Sequence, residues 1–209
     1  MKSIYIGADL SYHMATFYPI DFNKSIEKKQ LVYKTNPDLI MEYIVLGLSL
    51  ILTIGVPSFL AIITFKSLSD IFQILLCLLW DGFIIANLIL FRSLVKVEGK
   101  SKRENKNDII KILSKDYQLK NEHTMRNGMI RDIKVDSFSR WGRVITCLFD
   151  DNAVYLNVTT VYKGDSFSCF NGLLNYIRCK GMAKDFQRLQ SAILEDIEEE
   201  NKDIPSDNQ

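Results

Sequence analysis

The chain has 209 residues, 47% of them hydrophobic, and its 26 basic and 25 acidic residues leave a net charge of +1. Overall charge therefore singles out no partner. The placing of the charges is more informative, because between positions 43 and 91 only Lys66, Asp70 and Asp81 are charged. That pattern is foreign to a purely soluble, a disordered or a collagen-like chain.

Residues 1–42 are mostly polar and read as three strands, at 3–6, 16–20 and 30–35, with Pro37 close before the first apolar run. So short a piece cannot easily bury a core of its own. These strands are expected to complete a sheet formed further along the chain. No charged-then-apolar leader precedes the apolar run, so it reads as a retained segment rather than a cleaved signal.

Residues 43–65 carry no charge and would span about 34 Å as a helix at roughly 1.5 Å per residue. A hydrocarbon core of about 30 Å is crossed by such a helix with a modest tilt. Residues 71–91 form a second run, broken only by Asp81, and Lys66-Ser67-Leu68-Ser69-Asp70 is too short to be more than a loop. The two runs therefore predict an antiparallel transmembrane hairpin. Lys24, Lys28, Lys29 and Lys34 flank it on one side and Arg92, Lys96, Lys100, Lys102, Arg103 and Lys106 on the other, against Lys66 alone in the loop. By the positive-inside rule both ends face the cytoplasm. The sequons at Asn23 and Asn157 would then lie on the wrong side for glycosylation.

Asp81 is the sharpest single residue. It lies about 15 Å into its run, near the midplane, where a charged Asp costs about 2.5–3.5 kcal/mol on insertion scales. Gln73, Cys77 and Asp81 recur at intervals of four and form a polar stripe. Antiparallel pairing sets Asp81 level with Gly55, within a turn of Thr53 and Pro57. Pro57 supplies no N–H, so the Thr53 carbonyl is expected to be free, and a protonated Asp81 would donate to it or to the Thr53 hydroxyl. The intramembrane polar residues are thus Asp81, Thr53 and Gln73, in the role of polar glue.

Residues 92–194 hold 19 basic and 11 acidic side chains, whereas residues 195–209 hold seven acids and one lysine. The basic stretch is suited to anionic headgroups, and the acidic tail reads as a frayed helix end running into disorder. Ile109, Ile110, Leu113 and Tyr117 give residues 104–117 one apolar helical face. Residues 130–138 alternate weakly, as a strand does. Residues 144–149 and 153–161, rich in β-branched and aromatic side chains, form a hairpin about Asp150-Asp151-Asn152. Lys163-Gly164-Asp165 turns the chain, and Ser168 is placed to cap a long helix. On that helix Phe170, Leu173, Leu174, Ile177, Phe186, Leu189 and Ile193 line one face, with a kink or break at Gly181.

Candidate chemistry is sparse. Asp150 and Asp151 would point to opposite faces of a strand and suit a turn better than a shared acid/base or metal site. Cys77, Cys147, Cys169 and Cys179 have no CxxC spacing, and only His13 and His123 could join them, so no zinc site is expected and the thiols read as free. Neither a phosphate-binding loop nor a dinucleotide fingerprint occurs. Arg140-Trp141-Gly142-Arg143, with Tyr155 and Tyr162, mixes basic and aromatic groups as nucleotide-binding surfaces do.

The expected fold is a membrane α-helical hairpin of two transmembrane helices plus a small cytosolic α+β domain with a mainly antiparallel sheet. Its parts are the N-terminal strands (1–42), the hairpin (43–91), the basic domain (92–194) and the acidic tail (195–209). The expected function is that of a non-enzymatic docking or assembly component, with no catalytic residue, metal or cofactor. Its expected partners are membrane lipids and other subunits or further copies, and nucleic acid is not expected. The inner membrane of a bacterium is the expected location. The alternative is a ligand-gated membrane effector that binds an anionic small molecule such as a nucleotide through Arg140, Arg143 and Lys163.

Overall fold

The computed structural model describes residues 19–35, 37–63, 68–117, 125–126, 128–135, 141–162 and 167–202. The strand expected at 3–6, most of that at 16–20, the turn at Lys163-Gly164-Asp165 and the end of the acidic tail lie outside these residues.

A short helix, α1 (Phe22–Lys28), comes first. Asp21 caps it by accepting from the Lys24 amide at 3.2 Å, and that bond holds its carboxyl below the usual carboxylate range. Lys29 ends the helix in the left-handed conformation, with φ 51°. Buried Ser25 then fastens the chain that follows, accepting from the Val32 amide at 2.9 Å.

Two long apolar helices follow. The first begins with Pro37 at its first position, where the missing N–H costs nothing, as α2 (Pro37–Leu50). It passes through a π turn (Ile51–Gly55) into α3 (Val56–Ile63). The π turn sits just ahead of Pro57, with the Val56 N–H reaching back to the Ile51 carbonyl. A proline inside a helix breaks the regular ladder, and a π bulge is one way to absorb the break. The second apolar helix, α4 (Leu68–Leu90), is continuous. Leu39–Ile63 and Ile71–Leu90 are each long and apolar enough to cross a membrane by length and composition. None of the first apolar window and 11% of the second is buried, unlike core helices of a soluble protein.

Leu90 is followed after four residues by the edge strand β1 (Val95–Glu98). Helix α5 (Lys102–Tyr117) comes next, opened by a capping box in which the Ser101 hydroxyl donates to Glu104 at 2.6 Å. The remaining strands are β2 (Met125–Arg126), β3 (Met129–Val135), β4 (Trp141–Phe149), β5 (Ala153–Tyr162) and β6 (Phe167–Ser168). They form an antiparallel sheet in the order β1-β5-β4-β3-β2, with β6 also on β5. Asp150-Asp151-Asn152 makes the β4–β5 turn, where the Asp150 amide donates to the Ala153 carbonyl at 2.9 Å.

A 3₁₀ turn (Cys169–Asn171) leads into the long helix α6 (Gly172–Lys202). Two expectations are corrected here. Ser168 is not the cap but pairs with Thr160 in β6, and α6 runs through Gly181 without a break.

Each face of the sheet is covered. On one, Ile145, Cys147, Phe149, Val154, Leu156 and Val158 pack against Ile109 and Leu113 of α5 and Cys179, Met182 and Phe186 of α6. On the other, Leu148, Ala153 and Tyr155 pack against Leu31, Tyr33, Leu39 and Leu94. Among the described residues, 19–35 cover a sheet face instead of adding a strand at 30–35. Residues 30–35 contribute only isolated bridges, Gln30 to Ser93 and Tyr33 to Ile20. Leu31 and Tyr33 dock this segment, with Ile20, Phe22 and Ile26 packed alongside.

Candidate functional site

The most elaborated polar construction in the chain lies where the second apolar helix meets the sheet domain. Asn87, one turn before the end of α4, is buried. Its Nδ2 donates to the Phe83 carbonyl at 2.8 Å, and its Oδ1 accepts from the Leu173 amide at 2.9 Å. The first amides of a helix have no partner inside it. Here one of them is satisfied by a side chain 86 positions away in sequence. Gly172 makes this possible, because a Cβ there would collide with the Asn87 carbonyl oxygen and come within 2.8 Å of the Phe91 nitrogen.

The sheet grips the chain just past the end of the same helix. Asn157 of β5 is buried, and its Nδ2 donates to the Ser93 carbonyl at 2.9 Å and the Phe91 carbonyl at 3.3 Å. Thr159 orients it by donating to its Oδ1 at 2.7 Å. The N-terminal segment adds two main-chain bonds, from the Leu31 amide to the Arg92 carbonyl at 2.8 Å and from the Leu94 amide to the Lys29 carbonyl at 2.9 Å. The carbonyls of Phe91, Arg92 and Ser93, just past α4, are therefore bonded by the domain and the N-terminal segment, while those of Asn87, Ile89 and Leu90 are satisfied locally by Phe91 and Ser93.

Arg92 lies at the centre of this joint. Its guanidinium is 4.6 Å from the ring centroid of Tyr43, 5.1 Å from Phe91 and 5.6 Å from Tyr33. The three rings come from both apolar helices and from the N-terminal segment, so one cation ties together all three chain pieces. Its Nε is buried without a hydrogen-bond partner, which leaves the aromatic faces as the main compensation for that desolvated edge.

A second polar site lies between the apolar helices. Ser58 Oγ donates to Asp81 Oδ2 at 2.6 Å, while Oδ1 is buried and unpartnered. The expected partner was Thr53, but the Thr53 hydroxyl donates to the Ser49 carbonyl of its own helix at 2.8 Å. The π turn accounts for the difference, since it alters the helix before Pro57 and brings Ser58, three residues past Gly55, opposite Asp81. Gln73 is exposed and takes no part in the pair.

Of the residues expected to contact an anionic ligand, Arg140 and Lys163 lie outside the described residues. Arg143 is half-buried on β4, in register with Lys134 and Thr160. Among the described residues no group of three or more His, Cys, Asp or Glu could hold a metal ion. The thiols of Cys77, Cys147 and Cys179 are free. Burial raises the pKa of Cys147 and pushes that of Cys179 to about 12.

The joint was not legible in the sequence. Asn87 and Asn157 stand far apart, and nothing in their neighbourhoods marks them as partners of one helix end. The one available signal was an asparagine inside an otherwise apolar run. Comparison with protein-family models, with curated proteins and with solved structures finds no match.

Proposed function

We propose that the chain is a two-pass integral membrane protein that acts as a non-enzymatic docking or assembly component through its α+β domain. The observation that carries this reading is the double clamp at the end of α4, by Asn87 on the helix to Leu173 and by Asn157 to Phe91 and Ser93 just past it. A tether needs only a flexible linker, whereas a helix that runs into an edge strand and is fastened on two sides fixes the orientation of the domain. Fixed orientation is what a platform for other subunits requires. The apolar helices, with large side chains such as Leu52, Ile62, Phe72 and Leu79 exposed, need lipid around them to be stable. The flanking Lys28, Lys29, Arg92 and Lys96 favour, by the positive-inside rule, a reading in which the domain and both termini are cytoplasmic, and the proposed location is the inner membrane of a bacterium.

Affinity purification in mild detergent tests the reading. A reproducible co-purifying protein, or a defined oligomer, is the expected result. Recovery of the bare monomeric chain across detergents and protein concentrations contradicts it.

The buried, unpartnered oxygen of Asp81 favours a second reading, a ligand-gated effector in which the joint passes a ligand-induced change to the hairpin. A thermal-shift screen with cyclic and linear nucleotides distinguishes it. Binding to the folded form raises the melting temperature by mass action, and no shift at millimolar ligand removes this alternative.

A further inference from the structure

The start of α6 leaves an apolar face uncovered. Phe170, Leu173, Leu174 and Ile177 are exposed by 46%, 36%, 53% and 56%, and their spacing of three and four places them along one side. On the same side the next exposed residues are Lys180, Gly181, Lys184 and Arg188. The exposed stripe therefore changes from apolar to basic in a single turn.

Its level is set by α4. Gly172 sits against the Asn87 carbonyl and the Phe91 nitrogen, and the Leu173 amide is bonded to Asn87. Asn87 lies three residues inside the apolar segment that ends at Leu90, about 4.5 Å below its end at roughly 1.5 Å per residue. The apolar stripe thus begins beside the last turns of the second helix, where Phe83, one turn before Asn87 on the same face, is itself exposed. Along the axis of α6, Lys180 is about 4.5 Å and Lys184 about 10 Å beyond Ile177. The headgroup layer of one leaflet is about 5–8 Å thick, so with α6 running out of the bilayer the two lysines come within reach of it. Their long stems allow the ammonium groups to reach phosphates while the methylenes stay on apolar surface.

We infer that the first two turns of α6 lie in the boundary layer of an anionic leaflet, Phe170, Leu173, Leu174 and Ile177 among the acyl chains and Lys180 and Lys184 at the phosphates. The inference rests on the two-pass reading. Lipid is the occupant because the face continues the lipid-exposed surface of α4 and is followed by positive charge complementary to anionic headgroups. The domain is thereby held at the membrane by a third element.

The chain has two tryptophans, Trp80 and Trp141, which makes fluorescence quenching by brominated lipid a direct test. The full-length protein is reconstituted in vesicles of phosphatidylcholine and phosphatidylglycerol. A Trp141→Phe variant leaves Trp80 to report on the second helix, with bromine deep in the acyl chains. A Trp80→Phe/Trp141→Phe/Leu174→Trp variant reports on α6, with bromine near the headgroup end. Ile177→Trp in the same background is the second reporter, and Arg188→Trp is the reporter beyond the headgroups. Loss of more than half the emission at positions 174 and 177, with Arg188→Trp unaffected, is the expected result. Quenching of Trp80 without quenching at 174 and 177 overturns the inference and leaves the two-pass reading intact. Absence of quenching at Trp80 overturns both. Blue-shifted, unquenched emission at 174 that varies with the protein-to-lipid ratio shows that a second copy covers the face, and overturns the inference too.

Discussion

The Leu173 amide donates to the side-chain oxygen of Asn87 across 2.9 Å, so the second apolar helix caps the long helix of the sheet domain. The start of α6 thus depends on α4, since one of its first amides is hydrogen-bonded by the Asn87 side chain. Removal of the cap therefore acts on the domain as well as on the hairpin. Asn87→Ala is expected to lower stability by about 1–3 kcal/mol, the usual cost of a buried donor left unpaired. A thermal melt in detergent measures the loss, and faster hydrogen exchange at the Leu173 amide places it.

Gly172 and Gly181 make a matched pair on the same helix. A Cβ at Gly172 has no room against the Asn87 carbonyl, whereas at Gly181 nothing lies within 4 Å. Gly172→Ala is expected to destabilise by about 1–3 kcal/mol through overpacking. Gly181→Ala is expected to gain up to about 1 kcal/mol from helix propensity. Equal effects at the two positions, read as melting temperatures, would show that α6 does not approach α4 as described.

The Ser58–Asp81 pair joins the two apolar helices by one hydrogen bond. Asp81→Asn should be tolerated, because the amide oxygen can still accept from Ser58. Asp81→Leu and Ser58→Ala should each weaken hairpin packing by about 0.6 kcal/mol and at most about 2, as interhelical hydrogen bonds in membranes do. A double-mutant cycle checks the pairing. If the effects of Ser58→Ala and Asp81→Leu simply add, the two residues are not partners. If Asn is as damaging as Leu, the carboxylate itself is needed and the gated reading gains.

How much of this was readable beforehand divides along the range of the interactions. The two apolar runs, the β4–β5 hairpin about Asp150-Asp151-Asn152 and the helix after Ser101 were legible, because each is specified by neighbours a few residues apart. Helix α1 was not. Only Phe22 and Ile26 mark its apolar side, and its buried polar residue, Ser25, is recognisable only through Val32. The partner of Asp81 was misplaced because a regular helix was assumed through Pro57, where the chain makes a π turn. Phe170, Leu173, Leu174 and Ile177 read with Phe186 as one apolar face of the long helix. Phe186 is fully buried and the others are exposed, because nine residues, about two and a half turns, set Phe186 across the helix from Ile177, on the side that meets the sheet.

Two buried thiols give a pH dependence of definite sign. Cys147 and Cys179 lie against the sheet core with pKa values raised from 9.0 by burial. A raised folded-state value means that the neutral thiol is favoured on folding. Their contribution is complete below pH 9.0 and declines as pH climbs from there toward the folded-state values. Urea titrations at rising alkaline pH should show falling stability, and both thiols should resist maleimide in the folded protein at pH 8 and react after unfolding. Rapid labelling of Cys147 without unfolding would contradict the burial.

The most direct test of the central claim, that the chain crosses a membrane twice with its domain clamped on one side, is thiol accessibility in intact cells. Single cysteines are introduced at Ser67, between the two apolar helices, and at Ser101, ahead of α5, with the wild-type chain as the background for native thiols. Both variants are read with a membrane-impermeant maleimide, in protein that stays in the membrane pellet through alkaline carbonate extraction. The account predicts that Ser67→Cys is labelled from outside and Ser101→Cys only after permeabilisation. Release of the protein into the carbonate supernatant, or equal accessibility of the two positions before permeabilisation, would contradict it.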